Sequence, residues 1–254
     1  MILDTISLPA TIVWIYVTIC FCISLLKKRN DIMDIAWGIG FITLCLFYFF
    51  FEETSLPSLI MYVLTILWGI RLSWHILIRN KGKKEDFRYA SWRKKWGKWV
   101  IPRSYLQIYL LQGALLLLIA MPIHFSAIKN IHFLTPLNYL GIIIWIIGFI
   151  IETISDSELS NFLKNRKSKN EVCSDGLWEY SRHPNYFGEM TLWWGIWLIG
   201  FQAETALITI IGPITITFII IFISQPMIEE KQKKDPKYKK YLKNTHRFLP
   251  LKKS

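Results

Sequence analysis

The sequence lacks the glycine-rich signatures of the common nucleotide-binding folds. It contains no Gly-x-Gly-x-x-Gly fingerprint and no P-loop, which excludes a nucleotide bound in the Rossmann or Walker manner. It also lacks a Gly-x-Ser-x-Gly elbow, so the usual nucleophile of the α/β-hydrolase fold is excluded.

Residues that commonly bind metals or form disulfides are scarce. Four cysteines, Cys20, Cys22, Cys45 and Cys173, and five histidines show no paired zinc-ligand spacing. We therefore expect no metal site and no disulfide framework. Three of the cysteines lie in apolar runs, where we expect buried thiols.

Apolar residues are abundant instead. Of the 254 residues, 53% are hydrophobic and 15% are aromatic, and the mean hydropathy is +0.33. This composition is too apolar for an ordinary soluble domain and indicates a membrane protein. The formal charge of +12 would suit a nucleic-acid partner, but the basic residues alternate with apolar runs long enough to span a bilayer. We therefore expect membrane lipid around the chain and no nucleic acid.

Seven apolar segments follow one another along the chain. They are Leu8–Leu26, Ile35–Phe51, Leu56–Leu77, Leu106–Pro122, Leu137–Thr153, Tyr186–Gly200 and Ala206–Ile223. Most of them approach the ~20 residues that cross ~30 Å of hydrocarbon as a helix. The sequence thus predicts an all-α integral membrane bundle of seven transmembrane helices, which forms a single membrane domain over residues 1–254.

Lysine and arginine are concentrated after the first, third, fifth and seventh segments. The connections after the second, fourth and sixth segments carry at most one basic residue each. By the positive-inside rule, the N-terminus is predicted outside and the C-terminus in the cytoplasm. We therefore expect an active site that faces the cytoplasm. For many of these lysines, topogenic charge near anionic lipid is a sufficient explanation.

Polar side chains gather at the cytoplasmic halves of the predicted helices, where an ionisable residue costs roughly 2.5–3.5 kcal/mol on insertion. They share i and i+4 spacing, which places them on one helix face: Arg71, His75 and Arg79; Glu152 and Asp156; Asn185 and Glu189. The pattern predicts a pocket with a charged mouth and an apolar floor. A structural Glu152–Arg71 ion pair and interfacial snorkelling of Arg79 and Asp31 are the competing interpretations.

The charge of this pocket indicates the class of ligand. Guanidinium groups bind phosphate bidentately, which suits a phosphorylated cofactor. The residues predicted to hold phosphates are Arg71, Arg79, Lys83, Arg88 and Arg182. Asp156 and Asn185 suit ribose hydroxyls and an amide-bearing ring. The apolar floor suits a lipophilic small-molecule substrate that enters from the bilayer, and we expect the protein to act as a monomer.

One stretch is hard to explain by packing alone, because a polar Arg-His-Pro-Asn leads into an aromatic apolar helix. It runs from Gly176 to Glu189 and reads Gly-Leu-Trp-Glu-Tyr-Ser-Arg-His-Pro-Asn-Tyr-Phe-Gly-Glu. Further motifs are Asp31-Ile-Met-Asp34-Ile-Ala-Trp37-Gly38, Trp68-Gly69-Ile-Arg71-Leu-Ser-Trp74-His75, Arg79-Asn80-Lys81-Gly82-Lys83 and Leu111-Gln112-Gly113. In these motifs the chain resembles, over nearly its full length, the steroid 5-alpha-reductase family. It is most similar to the bacterial branch of that family, with the C-terminal reductase-like signature at about residues 137–254.

The resemblance implies seven helices, an NADPH held from the cytoplasmic side, and hydride transfer to a C=C conjugated to a carbonyl in a steroid-like or isoprenoid-like substrate. Asn80 and Lys83 fall in the cofactor loop of the family. The predicted cofactor-binding residues are Arg71, His75, Arg79, Asn80, Lys83, Arg88, Asp156, Tyr180, Arg182, His183, Asn185 and Tyr186. Asp34 and Glu189 are predicted to be catalytic, as carboxyls kept neutral by desolvation that donate to the substrate carbonyl.

Two other functions fit parts of the sequence. Arg182-His183-Pro184-x-Tyr186 with the later Glu229-Glu230 is similar to membrane methyltransferases that modify isoprenylcysteine or phospholipid amines. An S-adenosylmethionine-dependent methyltransferase is therefore the alternative, although the many cationic residues disfavour a sulfonium ligand. A lipid-binding or transport protein is a third hypothesis. The lack of internal repeats and of breaks within the predicted membrane helices weighs against it.

Overall fold

A computed structural model describes residues 2–127, 133–168, 171–202, 204–232 and 235–250. Helices make up most of these residues. They are α1 (Ile2–Lys27), α2 (Ile32–Phe51), α3 (Leu56–Asn80), α4 (Phe87–Trp96), α5 (Val100–Ser104), α6 (Leu111–Ile119), α7 (Met121–Ala127), α8 (Pro136–Asn165), α9 (Leu177–Tyr180), α10 (Pro184–Ile199), α11 (Ala206–Thr209), α12 (Ile211–Ile219), α13 (Gln225–Gln232) and α14 (Pro236–Asn244). The described residues form no β-strand, and one isolated parallel bridge pairs Ser181 with His246. The prediction of an all-α fold is confirmed.

Several helical segments are long and apolar enough to cross a membrane. In the part of the chain that is described, five qualify singly: Ile6–Lys27, Ile32–Phe51, Leu56–Asn80, Pro136–Asn165 and Ala206–Glu230. A sixth results if Phe87–Ile119 and Met121–Ala127, which meet at a 54° bend, form one span. These helices support a membrane protein. The predicted segment Tyr186–Gly200 folds as α10, which has 16 residues and is shorter than a usual span. The seven-span bundle and its orientation therefore stay predictions.

The exposed surface of α8 shows how the helices suit a lipid environment. Ile143, Ile147 and Ile150 are 55%, 48% and 50% exposed, whereas Trp145 and Glu152 on the opposite face are buried. An apolar stripe of this size is costly in water and normal against lipid tails. The polar side chains of α8 that are buried, such as Glu152 and Asp156, lie away from this stripe.

The segment between the third and fourth predicted spans differs from expectation. The charge pattern indicated only a basic loop after the third predicted segment, but α4 begins at Phe87, where Asp86 accepts a hydrogen bond from the Arg88 amide at 2.9 Å. Helical structure then continues through a 3-10 turn (Gly97–Trp99), α5 and a π-helical turn (Tyr105–Leu110). The loop prediction was wrong because lysine and arginine hide the apolar periodicity in this segment.

The helices contain local irregularities that the apolar runs did not indicate, and one of them, the bend between α6 and α7, contradicts the predicted absence of breaks. A π-helical turn at Tyr105–Leu110 precedes α6, and a second one at Ile220–Ser224 lies between α12 and α13. The α6–α7 junction adds the 54° bend. Such turns occur often at functional sites, so the continuity of the apolar runs did not reveal the local geometry.

The chain divides into two compact units. The first unit is Met1–Phe133 with Gln202–Thr209, and the second unit is Leu134–Phe201 with Ile210–Ser254. The first contains α1 to α7 and α11, and the second contains α8 to α10 and α12 to α14. The single membrane domain stays a prediction.

In the second unit, α8 and α10 approach each other at backbone distance through glycines. A Cβ added to Gly188 would lie 2.6 Å from the Gly148 carbonyl oxygen, and a Cβ added to Gly195 would lie 2.8 Å from the Gly141 carbonyl oxygen. The two glycine pairs lie two helical turns apart on each helix and follow one another in opposite directions along α8 and α10, which fixes an antiparallel register. Small residues allow such approach between membrane helices. The register places the first turn of α10 beside the end of α8.

We expect Gly188→Ala to lower the melting temperature of the detergent-purified protein. The new Cβ would overlap two backbone atoms of α8, and such overpacking typically costs about 1–3 kcal/mol. Gly113→Ala is the matched control, because the same change on α6 meets only valine side chains, at 3.2 Å and beyond. In the control, the gain in helix propensity of roughly 1 kcal/mol can offset the contact. Equal melting of the two variants would contradict the assigned register.

Candidate active site

The Gly176–Glu189 stretch begins against the end of α8. Gly176 has φ of 61°, a backbone conformation that favours glycine, and a Cβ there would lie 2.1 Å from the Glu158 carboxylate, which would have to move. The Leu177 amide donates to Glu158 Oε2 at 3.0 Å. The Trp178 indole donates to the Ser155 carbonyl at 3.0 Å. These contacts fix where α9 starts on α8.

The C-terminal part of the second unit holds the next residues of the stretch. The Tyr241 hydroxyl donates to the carbonyls of Trp178 and Ser181, at 2.5 and 3.2 Å. The Arg182 amide donates to the His246 carbonyl at 2.9 Å. Tyr241 of α14 and His246 just after this helix thereby position Arg182 and His183.

Glu229 of α13 binds the side chains of both Arg182 and His183. Its Oε1 lies 3.0 Å from Arg182 Nη1 and 3.1 Å from His183 Nε2. Glu229 and His183 are each only 4% exposed. Burial lowers the pKa of His183, which the hydrogen bond to Glu229 offsets only in part. At neutral pH the imidazole is therefore neutral, its Nε2–H donates to Glu229, and its ring stacks on Tyr186 at 5.5 Å.

The structure brings Asn185 and Asp156 together, as the sequence predicted for the facing ends of these helices. Asn185 Nδ2 donates to Asp156 Oδ1 at 3.2 Å. Asn185 Oδ1 and Arg182 Nε are buried and make no hydrogen bond to any described residue. A buried polar atom without a partner costs about 1–3 kcal/mol. One free acceptor and one free donor are thus available to a ligand at this place.

The other carboxyls of α8 and α10 lie close to these residues. Glu189 is half-buried on α10, one turn beyond Asn185. Glu152 is buried on α8, where its backbone amide would lie 2.6 Å from a Cβ at Gly188. The second unit therefore contains the predicted residues Asp156, Asn185 and Glu189 along one helix pair.

In the first unit, Asp34 forms a separate cluster with α4. Its Oδ2 accepts from Arg88 Nη2 at 2.7 Å, and its Oδ1 accepts from the Tyr89 hydroxyl at 2.5 Å. Both carboxyl oxygens of Asp34 are thus bonded to side chains of α4. This geometry lets Asp34 anchor α4 to α2, and its predicted catalytic role stays a prediction.

The loop that follows Asn80 and contains Lys83 is fixed by Asp31 and Arg29. Asp31 pairs with Arg29 at 2.6 Å and accepts from the Asp86 amide at 2.9 Å, while Arg29 donates to the Lys83 carbonyl at 3.2 Å. Burial opposes the charge of Asp31, but the bonds from Arg29 and Asp86 prevail and lower its pKa. Because Asp31 is buried and bonded, the snorkelling interpretation does not apply to it.

The remaining candidates of the first unit lie on α3 or just after it. Arg71 and His75 are half-buried, and Arg79 and Lys83 are exposed. Asn80 accepts from Arg79 Nε at 3.4 Å, and its Nδ2 is buried without a hydrogen bond to the described residues. Their role in binding a cofactor stays a prediction.

A cavity of about 680 Å³ opens in the second unit. We call it the tail cavity. It is lined by Phe162, Glu171, Val172, Ser174, Glu179, Tyr180, Lys237, Lys240, Tyr241, Asn244 and Thr245. Of the predicted site residues, Tyr180 is among those that line it. The sequence did not indicate this cavity, because the lysines of α14 read as topogenic charge.

Sequence reasoning missed three residues that build the site. Glu158 and Tyr241 bind backbone groups of the Gly176–Glu189 stretch, and Glu229 binds two side chains of that stretch. The signal for Glu229 was its membership of the Glu-Glu pair, and the signal for Tyr241 was its i+3 spacing from the buried Tyr238. Neither signal identified the partner. Cys22 was also expected to be buried and is exposed, because it lies on the outer face of α1.

Comparison with known proteins places the chain in a family. The family model described as "Protein of unknown function (DUF1295)" matches residues 20–245. An uncharacterized protein of Schizosaccharomyces pombe is 24% identical over 90% of this chain and 74% of its own length. The 3-oxo-5-alpha-steroid 4-dehydrogenase 1 of Mus musculus is 32% identical over 27% of each chain, and that of Bos taurus is 34% identical over 25% of each.

The match to the two dehydrogenases spans about a quarter of their length and of this chain. No solved structure matches the chain. The resemblance to the steroid 5-alpha-reductase family that the motifs indicated is confirmed by these relatives. The chain belongs to the DUF1295 family, and part of it is related to 3-oxo-5-alpha-steroid 4-dehydrogenase 1.

Proposed function

We propose that the protein is a membrane-embedded, NADPH-dependent reductase. It would reduce a C=C conjugated to a carbonyl in a lipophilic, steroid-like or isoprenoid-like substrate. One observation carries the proposal: Asn185, paired with Asp156 through its Nδ2, has a buried Oδ1 that no described residue bonds, and it follows closely on the Arg182–His183–Glu229 cluster. The partial relation to 3-oxo-5-alpha-steroid 4-dehydrogenase 1 supports the reaction class.

The polar groups of the second unit fit a dinucleotide. Asn185 Oδ1 can accept a hydrogen bond from a carboxamide or a ribose hydroxyl, and Asp156 adds a second acceptor. Arg182 Nε can donate to a phosphate oxygen, since Glu229 already holds the Nη1 side of the guanidinium. When bound, NADPH would supply the hydride. Asp156, Asn185 and Arg182 would bind and orient it.

Glu189 is the residue we propose to act on the substrate. It lies one helical turn beyond Asn185 and is half-buried. As a neutral carboxyl it would hold a proton at one Oε and donate a hydrogen bond from it to the substrate carbonyl. A donor placed on a developing enolate oxygen stabilises the transition state by about 3–4 kcal/mol. Asp34 stays the second candidate for this role.

We also propose that the site faces the cytoplasm of a bacterial cell from the inner membrane, and that the protein acts as a monomer. The positions of the basic segments support the orientation. The exposed apolar stripe of α8 supports lipid contact and access for a lipophilic substrate.

An S-adenosylmethionine-dependent methyltransferase is the second candidate. The observation that favours it is the contact of Glu229 with both Arg182 and His183, which brings the methyltransferase-like motifs together in space. In this arrangement, however, the Glu229 carboxylate is already neutralised by a guanidinium. It is then a poor partner for the positively charged sulfonium.

Thermal stabilisation of the detergent-purified chain tests the choice between the two cofactors. A ligand at 100 times its dissociation constant adds about 2.7 kcal/mol to the folded state. We expect NADPH to raise the melting temperature and S-adenosylmethionine to leave it unchanged. Asn185→Ala should weaken NADPH binding about 10-fold, whereas Asn161→Ala, an exposed change on α8, should not. Stabilisation by S-adenosylmethionine alone would reject the reductase.

A further inference from the structure

The tail cavity has the size of a ligand site and lies beside the proposed cofactor residues. Its volume of about 680 Å³ is within the range of small-molecule pockets. Tyr180 lines it, and Ser181, with φ of −130° and ψ of 141°, extends the chain from Tyr180 to Arg182. Two extended residues span at most about 7 Å. A dinucleotide bound at Arg182 is long enough to reach the cavity.

The lining of the cavity offers three kinds of group. Lys237 and Lys240 of α14 stand three residues apart, and hence on one helix face, and provide ammonium donors. Glu171, which lies between α8 and α9, and Glu179 of α9 provide carboxylate acceptors. The rings of Tyr180 and Tyr241 provide aromatic surface, although the Tyr241 hydroxyl is engaged with two carbonyls.

These groups match the chemistry of an adenosine that carries a phosphate on its ribose. A phosphate only accepts hydrogen bonds, which suits the two ammonium groups. The adenine amino group and the ribose hydroxyls donate, which suits the carboxylates. An unsubstituted phosphate or a simple lipid tail would leave either the carboxylates or the tyrosine rings without a use.

We propose that the tail cavity binds the adenosine 2′-phosphate end of the cofactor, and that Lys237 and Lys240 give the enzyme its preference for NADPH over NADH. This inference rests on the proposed reductase function. It assigns a ligand role to α14. It also gives a reason for the hydrogen bonds by which Tyr241 of α14 holds the backbone of the Gly176–Glu189 stretch at Trp178 and Ser181. The same helix then holds the Gly176–Glu189 stretch in place and binds the adenosine end of the nucleotide.

The test uses 2′,5′-ADP, a probe that carries the 2′-phosphate and lacks the nicotinamide. Binding to the full detergent-purified chain is measured by calorimetry, with 5′-AMP as the comparison. We expect Lys237→Gln/Lys240→Gln to lower the affinity for 2′,5′-ADP and NADPH about 10- to 100-fold and the affinity for NADH less than about 3-fold. Lys239→Gln/Lys243→Gln removes the same charge from exposed positions of the same helix outside the lining. That control should bind all three ligands as the wild type does.

The outcomes separate this inference from the proposed function. Equal loss of 2′,5′-ADP affinity in both lysine pairs, or inorganic phosphate competing as well as the nucleotide, would overturn the cavity assignment. The reductase would stand if NADPH still bound. A wild-type chain that binds neither NADPH nor NADH would overturn both. Unchanged melting temperature and NADH affinity in the Lys237/Lys240 variant show that any selective loss is not a folding defect.

Discussion

Glu229→Ala is expected to destabilise the folded protein by roughly 3–5 kcal/mol, because it removes the partner of two buried groups. The substitution leaves the Arg182 guanidinium charged inside the second unit, with only about one-seventh of its side chain exposed (14%). It also removes the acceptor for His183 Nε2. Deleting one side of a buried ion pair costs more than the pair itself contributes, since the remaining charge cannot return to water.

The measurement is the midpoint of chemical or thermal unfolding in detergent, with Glu230→Ala as the control. Glu230 is the next residue of α13 and is exposed, so the change in helix propensity and net charge is the same in both variants. We expect the control to stay within about 0.5 kcal/mol of the wild type. If the two variants unfold at the same midpoint, the contacts of Glu229 with Arg182 and His183 do not stabilise the fold.

Asp34→Ala is expected to cost roughly 2–3 kcal/mol, because Arg88 and Tyr89 lose their common acceptor. Arg88 keeps a second bond to Asp86 at 2.9 Å, which limits the loss. In a double-mutant cycle with Arg88→Ala, the coupling energy should be about 1–2 kcal/mol. Glu52→Ala, an exposed change beyond the other end of α2, is the control and should be near neutral.

A different substitution, Asp34→Asn, distinguishes an anchoring Asp34 from a catalytic one. If Asp34 anchors α4, Asp34→Asn lowers stability and leaves residual turnover in the molecules that stay folded. A catalytic carboxyl behaves differently. Asp34→Asn would then unfold like the wild type and lose turnover by about 100-fold or more, and that result would contradict the anchoring role.

The sequence indicated those parts of the site that depend on one helix or on facing helix ends. Asn185 and Asp156 could be paired beforehand, because both are polar positions at the ends of apolar runs with i+4 neighbours. Pro184 marked the first residue of α10, where its missing N–H has no cost. The membrane character followed from composition alone.

The rest depends on contacts between distant parts of the chain, which periodicity does not encode. Glu229 is 46 residues from His183, and Tyr241 is 63 residues from Trp178. The tail cavity forms only when α14 folds onto these residues. In α4, lysine and arginine outnumber the apolar residues that face inward, Tyr89 and Trp96. The helical pattern was therefore too weak to distinguish the segment from a loop.

The glycine contacts of α8 and α10 also bear on how the chain enters a membrane. With 16 residues, α10 is about 24 Å long, less than the ~30 Å hydrocarbon core, whereas α8 has 30 residues. At the far end of the pair, Asn138 Nδ2 donates to the Ile199 carbonyl at 2.6 Å, so α8 satisfies a terminal backbone group of α10 that lipid could not. With its backbone against Gly141 and Gly148 of α8, the shorter helix is therefore suited to enter a membrane packed on α8 as one helical pair.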